Sequence, residues 1–164
     1  IYGVSAFGLS NQTDLSRTEA KDLIDTYYKT YPKLRNYISE QIDFAREHGY
    51  VQTVLGRRRY LKDINAGNQV VRGAAERNAV NAPIQGSAAD IIKIAMINIH
   101  NKLSGGKYKT KMLLQVHDEL VFDCYKPELE EMKKLIKTEM EHAYTLAVPL
   151  EVEVGVGENW LEAH

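Results

Sequence analysis

The sequence is poor in the residues that build covalent frameworks and membrane anchors. Among 164 residues there is one cysteine, Cys124, which excludes a disulfide scaffold and a metal site built from cysteines. No apolar run approaches the length of a transmembrane helix, and we expect neither a signal peptide nor a membrane partner. The lone thiol fits the reducing cytoplasm, where we expect the protein to reside. The first residue is Ile rather than Met, so we expect the chain to be a piece of a longer protein.

An excess of charge of either sign is also missing, since the formal net charge at pH 7 is -1. Hydrophobic residues make up 44% of the chain and charged residues 26%, which is typical of one soluble globular domain with a hydrophobic core. The charges are unevenly placed: bases dominate between Arg46 and Arg77, and acids after Lys126. This pattern favours a local contact with an anionic partner, although a solvated charged face is the commoner explanation of a charge run taken alone.

Helical signals open and close clearly in the first third of the chain. The segment Ser16–Glu19 has the sequence of a capping box and predicts the start of a helix. Pro32 interrupts this helix, and a second helix is predicted to begin there and to end at Gly49, which suits a C-terminal cap.

The pattern becomes helical again from Gln69. Pro83 and Gly86 lie within this stretch, and we expect them to bend or break the helix. The strongly apolar segment 87–103 is therefore predicted to form a buried helix of its own.

Alternation of apolar and polar side chains predicts the strands. A first hairpin is predicted from residues 50–55 and 57–61, a second within residues 111–125, and a single half-buried strand over residues 150–156, with a helix between the last two. The order of elements predicts an α+β fold in which helices pack on a small antiparallel sheet.

The second hairpin carries two adjacent carboxylates, Asp118 and Glu119, at or near its tip. Because neighbouring side chains of a strand point to opposite faces, both are not expected to aim at one point unless the turn twists them together. This makes Asp118 the better ligand for a hard cation and Glu119 the accessory. On the hairpin alone, an ordinary polar turn is the favoured alternative.

Two further sets of polar residues are candidates for contact with nucleic acid. Arg57, Arg58 and Arg59 lie near the tip of the first hairpin, where alternation puts Arg57 and Arg59 on one face, and guanidinium groups suit phosphate oxygens. A line of donors spaced four residues apart shares one helix face, and a solvent-facing side of the helix is its alternative explanation. Its members are Arg77, Asn81 and Gln85.

Several longer motifs occur in a fixed order along the whole chain: IYGVSAFGLS, VLGRRRYL, ERNAVNAPIQGSAADIIK, LLQVHDELVFD and VGVGENW. Together they resemble the C-terminal part of the A family of DNA polymerases, as in bacterial DNA polymerase I. The resemblance implies a right-hand polymerase, with fingers and a polar DNA-contacting helix in about residues 1–100 and palm in about residues 101–164.

The resemblance also implies roles for individual residues. Asp118 and Glu119 match the palm carboxylates that serve catalysis by binding metal, and Tyr2 matches a fingers residue beside the incoming nucleotide. Gln115 and His117 correspond to residues that contact DNA near the primer end. The arginine hairpin and the polar helix line would touch the DNA backbone or the minor-groove acceptors that every correct base pair presents.

The implied partners are primer–template DNA, deoxynucleoside triphosphates and two Mg²⁺ ions, with no obligate protein partner. The family's first palm aspartate and the Lys, Arg and Phe of its fingers helix are absent from the sequence. We therefore expect this chain alone to be inactive and to bind Mg²⁺ weakly or not at all.

Two other classes of protein are alternatives. A non-catalytic nucleic-acid-binding domain is one, and the presence of Asp118 and Glu119 argues against it. A metal-dependent phosphohydrolase using His117 and Asp118 is the other, and it would need further ligands. The remaining histidines show no ligand-like clustering in the sequence: His48, His100, His142 and His164.

Overall fold

The fold is described from a computed structural model, and the structure describes residues 4–164. The elements in chain order are α1 (Ala6–Gln12), α2 (Arg17–Thr30), α3 (Pro32–His48), β1 (Tyr50–Gln52), β2 (Arg58–Tyr60), α4 (Gln69–Leu103), β3 (Lys111–Val116), β4 (Glu119–Asp123), a 3-10 turn (Lys126–Glu128), α5 (Leu129–Glu141) and α6 (Trp160–Ala163). The chain divides into two units, Ile1–Ser87 and Ala88–His164. In the part that the structure describes, no helix combines the length and the hydropathy needed to cross a membrane.

The predicted helix boundaries of the first unit are confirmed. The Ser16 hydroxyl accepts a hydrogen bond from the Glu19 amide at 3.3 Å, and the Glu19 carboxylate accepts one from the Ser16 amide at 2.9 Å, which completes the capping box. Pro32 begins α3, where a missing N–H is tolerated. Gly49 ends α3 with φ of 75°, a left-handed conformation that favours glycine.

The first hairpin is also confirmed, and it packs on the first unit's core. Strands β1 and β2 pair antiparallel, with Val51 opposite Arg59. Val51 is fully buried among small and branched residues that come from α3, from the loop after β2 and from α4. The residues of this core are Ala45, Val51, Leu61, Ile64, Ala75, Ala79 and Ala82. Because so many of them are alanines, helix and hairpin backbones approach each other closely.

The expected break at Pro83 and Gly86 is wrong. Helix α4 runs without interruption from Gln69 to Leu103 through both residues, so no separate helix begins at residue 87. Proline inside a helix removes one backbone hydrogen bond and costs about 3 kcal/mol. Here that cost is offset by burial of Pro83 and its neighbour Ala82. In addition, the Ser87 hydroxyl donates a hydrogen bond to the Pro83 carbonyl.

The second hairpin and α5 belong to the second unit. Strands β3 and β4 pair antiparallel, with a register shift between Met112 and Leu114. Antiparallel pairing is thus confirmed, as two separate two-stranded sheets rather than one sheet. Ile99, Met132 and Ile136 form the buried cluster of this unit.

Glu128 fastens the start of the second hairpin. Its carboxylate accepts hydrogen bonds from the Lys109 amide at 3.0 Å, from the Thr110 amide at 3.0 Å and from the Thr110 hydroxyl at 2.7 Å. These bonds, the one from the Lys109 amide first, hold the pKa of the Glu128 carboxyl below its usual range. The carboxylate form is therefore the one that stabilises this corner.

The predicted strand over residues 150–156 is not formed. The segment has no strand assignment, and among residues 4–164 no strand pairs with it. Alternation indicates which side chains can share a face, but a strand also needs a neighbouring strand to accept its hydrogen bonds. The segment instead passes close to α6: a methyl group added to Gly155 would overlap the Ala163 carbonyl, and one on Gly157 would approach the Glu162 Cβ atom at 2.5 Å.

Candidate active site and nucleic-acid interface

The carboxylate hairpin closes with a turn of two residues. Val116 pairs with Glu119, so His117 and Asp118 form the turn between β3 and β4. His117 has φ of 53°, the one positive φ of a non-glycine residue in the described part of the chain. Histidine is among the residues that tolerate this left-handed region. The Gln115 side-chain amide donates to the His117 carbonyl at 2.8 Å, which holds the turn in this conformation.

The two carboxylates of the hairpin differ in their surroundings. Asp118 lies in the turn itself and is exposed, and its side chain makes no hydrogen bond or ion pair with residues of the described range 4–164. Glu119 is the first residue of β4, and 38% of its side chain is exposed. Its Oε1 atom lies 2.7 Å from Nδ1 of His164. Sequence spacing gave no signal for this contact, because it joins residues far apart in the chain.

The carboxylates fit a Mg²⁺ site only in part. Within residues 4–164, no group of three or more His, Cys, Asp or Glu side chains lies close enough to hold a metal ion. Mg²⁺ is commonly bound by one or two carboxylates together with substrate phosphates and water. Asp118 and Glu119 therefore suit a shared site in which a substrate and other protein groups supply the remaining ligands.

The three arginines of the first hairpin divide between two faces, as alternation predicts. On one face, Arg57 Nη2 donates to the Gly86 carbonyl at 3.0 Å, and Arg59 Nη2 donates to Asn78 Oδ1 at 3.3 Å. On the other face, the Arg58 guanidinium lies 4.4 Å from the centre of the Tyr50 ring. All three arginines are exposed, and each has further donors to offer, since arginine carries five N–H groups.

A close approach at Gly86 holds this hairpin against α4. A methyl group on Gly86 would lie 2.6 Å from the Cγ2 atom of Thr53, which directly follows β1. Next to it, the Val54 amide donates to the Ser87 hydroxyl at 3.0 Å. Glycine at position 86 therefore serves this packing and does not break the helix. The sequence carried the glycine but no sign of its partner.

The predicted polar line lies along α4. Arg77 and Gln85 are exposed, whereas Asn81 is half-buried. The Oδ1 atom of Asn81 is buried and has no hydrogen-bond partner among the described residues. Gln85 also lines a small groove of about 140 Å³ together with Arg57, Arg59 and the backbone around Gly86. The line and the basic hairpin thus meet in the first unit. Tyr2 lies outside the residues that the structure describes.

A groove lined by guanidinium groups and a hairpin tip bearing carboxylates are typical of enzymes that act on nucleic acids. The comparison with known families makes the assignment specific. The chain belongs to the A family of DNA polymerases, because the model described as DNA polymerase family A matches residues 1–162. This confirms the resemblance carried by the sequence motifs.

Individual relatives agree with the family assignment. The chain is 55% identical over 163 residues to DNA polymerase I of Streptococcus pneumoniae, covering 99% of this chain and 19% of the relative. It is 50% identical over 159 residues to DNA polymerase I of Mycobacterium tuberculosis, covering 97% of this chain and 18% of the relative. The chain thus spans about a fifth of the length of the curated relatives it matches.

A solved structure shares the fold. The POL domain of Pol1 from M. smegmatis, in complex with DNA primer-template and dNTP, superposes with a TM-score of 0.95 at 49% identity. The match covers 99% of this chain and 29% of that one. The predicted fold class, α+β with helices and small antiparallel pairs, is that of this polymerase domain.

Proposed function

We propose that the chain is part of a DNA-directed DNA polymerase that adds deoxynucleotides to a primer 3′ end, in replication and repair in the bacterial cytoplasm. One observation carries the proposal: nearly the whole chain matches a polymerase domain that was solved with DNA primer-template and dNTP. The partners of the complete protein would then be primer–template DNA and deoxynucleoside triphosphates.

Asp118 would be the principal metal ligand of this chain and Glu119 the accessory. The exposed position of Asp118 in the turn and its lack of a side-chain partner within residues 4–164 support this division of roles. Paired Mg²⁺ ions, when bound at such a site, stabilise both the attacking 3′-oxygen and the leaving pyrophosphate of an in-line displacement. The contribution of this chain is to hold the carboxylates on a rigid two-stranded hairpin, where the substrate phosphates can approach from solvent.

DNA would be held by groups of the first unit. The arginine hairpin offers donors to backbone phosphates, and the polar line of α4 offers donors to base edges or sugar–phosphate. Asn81 supports this assignment, because a buried amide oxygen with no partner in the described part of the chain leaves a polar group for a ligand to satisfy. We assign residues up to about 100 to the fingers and the polar helix, and residues from about 101 to the palm.

The proposal is tested by Asp118→Ala in a full-length polymerase that carries this chain. Loss of a metal ligand removes several kcal/mol of transition-state stabilisation, so single-turnover incorporation should fall by roughly 100-fold or more. The dissociation constant for primer–template should stay within about twofold, because the carboxylate holds metal and not DNA. Asp123→Ala is the matched control, since Asp123 is an exposed carboxylate at the far end of the same β4 strand.

Two further outcomes separate the parts of the proposal. Glu119→Ala should slow incorporation less than Asp118→Ala, and the reverse order would exchange the principal and accessory ligands. Full activity in Asp118→Ala would remove the catalytic role of the hairpin.

The isolated chain is a second test. It should not extend a primer in the presence of Mg²⁺ and four nucleotides, because the family's first palm aspartate is not in this sequence. Clear extension at stoichiometric protein would contradict that expectation.

A further inference from the structure

His164 holds the second carboxylate of the hairpin from a distant part of the chain. Its Nδ1 atom lies 2.7 Å from Glu119 Oε1, which is a short, charge-assisted hydrogen-bond distance. A neutral ring with its proton on Nδ1 and an imidazolium can both donate this bond, so the contact does not depend on protonation. The same ring meets Trp160 edge-on, with 6.5 Å between the ring centres.

The backbone around α6 fixes where His164 lies. Asn159 caps the helix, its Oδ1 atom accepting from the Glu162 amide at 3.1 Å. The Glu158 amide donates to the Glu162 carboxylate at 3.0 Å. Gly157 lies so close to Glu162 that a side chain there would collide with it. These contacts restrain the position from which His164 reaches the hairpin.

The neighbouring carboxylate has no such partner. The Asp118 side chain makes no hydrogen bond or ion pair within residues 4–164, and both of its oxygens remain available. Glu119 can offer only Oε2 without first giving up its bond to His164. A carboxylate with one oxygen engaged by an imidazole can bind a cation through one oxygen at most.

We propose that His164 is a positioning residue that engages Glu119, so that Asp118 becomes the carboxylate fully available to a divalent cation. The inference rests on the proposed function, because it concerns how the two carboxylates of a polymerase site share their work. Its physical basis is competition: the imidazole donor and the cation seek the same carboxylate oxygen.

The test measures Mn²⁺ binding to a full-length polymerase that carries this chain, by electron paramagnetic resonance of the free ion and without DNA. Removing one donor to a carboxylate should tighten Mn²⁺ binding roughly two- to tenfold in His164→Ala. His164→Asn should keep the wild-type affinity, because its Nδ2 group can take the place of Nδ1. In the Glu119→Ala background, His164→Ala should change nothing.

Several results would overturn the inference. They are unchanged or weaker Mn²⁺ binding in His164→Ala, and an effect of His164→Ala that survives without Glu119. A metal-free crystal structure of His164→Ala supplies an independent measurement. We expect the Glu119 side chain to leave the position facing residue 164, and an unmoved side chain would show that His164 does not hold it.

Failure of the proposed function gives a different pattern. If Asp118→Ala leaves Mn²⁺ binding unchanged, the hairpin is not a metal site, and the proposed function loses its metal ligand. The metal-free structures then decide the role of His164 on their own: movement of Glu119 supports it as the group that holds this side chain, and no movement rejects it.

Discussion

Gly86→Ala is a sharp test of how the first hairpin is held on α4. The added methyl group would lie 2.6 Å from Thr53 Cγ2, well inside van der Waals contact. Neither side can yield easily, since Gly86 belongs to a continuous helix and Thr53 has a stiff β-branched side chain. The Thr53 hydroxyl also accepts a hydrogen bond from the Arg57 amide at 3.2 Å, which resists rotation of the side chain.

The size of the effect follows from two opposing terms. Alanine stabilises a helix by about 0.5–1 kcal/mol relative to glycine. Forcing an extra methyl into a packed contact costs about 1–3 kcal/mol. Since the overlap is with a stiff side chain, we expect overpacking to win and the hairpin to be destabilised by about 1–2 kcal/mol.

A second substitution should rescue the first. Thr53→Ser removes the colliding Cγ2 atom and keeps the hydroxyl that binds the Arg57 amide. Loss of one methyl by itself is worth about 0.8 kcal/mol when it is fully buried, and less here because Thr53 is half-buried. The double variant should therefore return to within about 1 kcal/mol of the wild type, because the helix preference of alanine offsets the lost methyl.

Hydrogen–deuterium exchange of residues 50–61 in the full-length protein measures this local stability directly. Gly73→Ala is the control in the same helix, because its methyl group would meet only Arg77 Nη1 at an ordinary 3.8 Å. That variant should leave exchange unchanged or slower. The reasoning is refuted if Gly86→Ala also exchanges no faster than the wild type, or if Thr53→Ser does not relieve it.

Three further predictions address other parts of the chain. Because the pKa of Glu128 lies below its ordinary value of 4.5 in the folded protein, its stabilising effect is present above that pH and is lost as the pH falls through the folded pKa. Glu128→Gln should thus be less stable at pH 7 and lose less stability on acidification, as read from urea midpoints; parallel pH profiles would contradict this. Replacing Arg57–Arg59 by alanine should weaken DNA binding alike for all sequences and flatten the log–log salt dependence by about 0.9 per lost phosphate contact, whereas an unchanged slope would leave these residues a structural role. Gln85→Ala should slow extension of matched primer ends, and the loss should shrink on primers whose terminal purine lacks its minor-groove acceptor; equal losses on both primers would exclude minor-groove contact.

Local signals in the sequence were sufficient for the elements whose hydrogen bonds close within a few residues. The capping box at Ser16, the cap at Gly49 and both hairpins are of this kind, because each depends on side chains or turns adjacent in the chain. The faces of Arg57 and Arg59 followed from strand alternation alone. The position of the carboxylate hairpin therefore follows from its amino acids alone.

The remaining features depend on partners that are distant in sequence. Helix α4 continues through Pro83 because tertiary packing outweighs a local preference. The segment 150–156 has the alternation of a strand but no strand beside it among residues 4–164. The contact between His164 and Glu119, and that between Gly86 and Thr53, join side chains that no spacing rule relates.

The closure of the second hairpin by only His117 and Asp118 limits how this region can be altered. Side chains along a strand alternate between faces, so one residue added to or removed from the turn would shift the pairing of β4 against β3. Every β4 side chain would then exchange its face, and Glu119 would turn away from His164. Substitutions at the tip change its chemistry while keeping its direction. Insertions change its direction, so any tag or engineered loop belongs elsewhere in the chain.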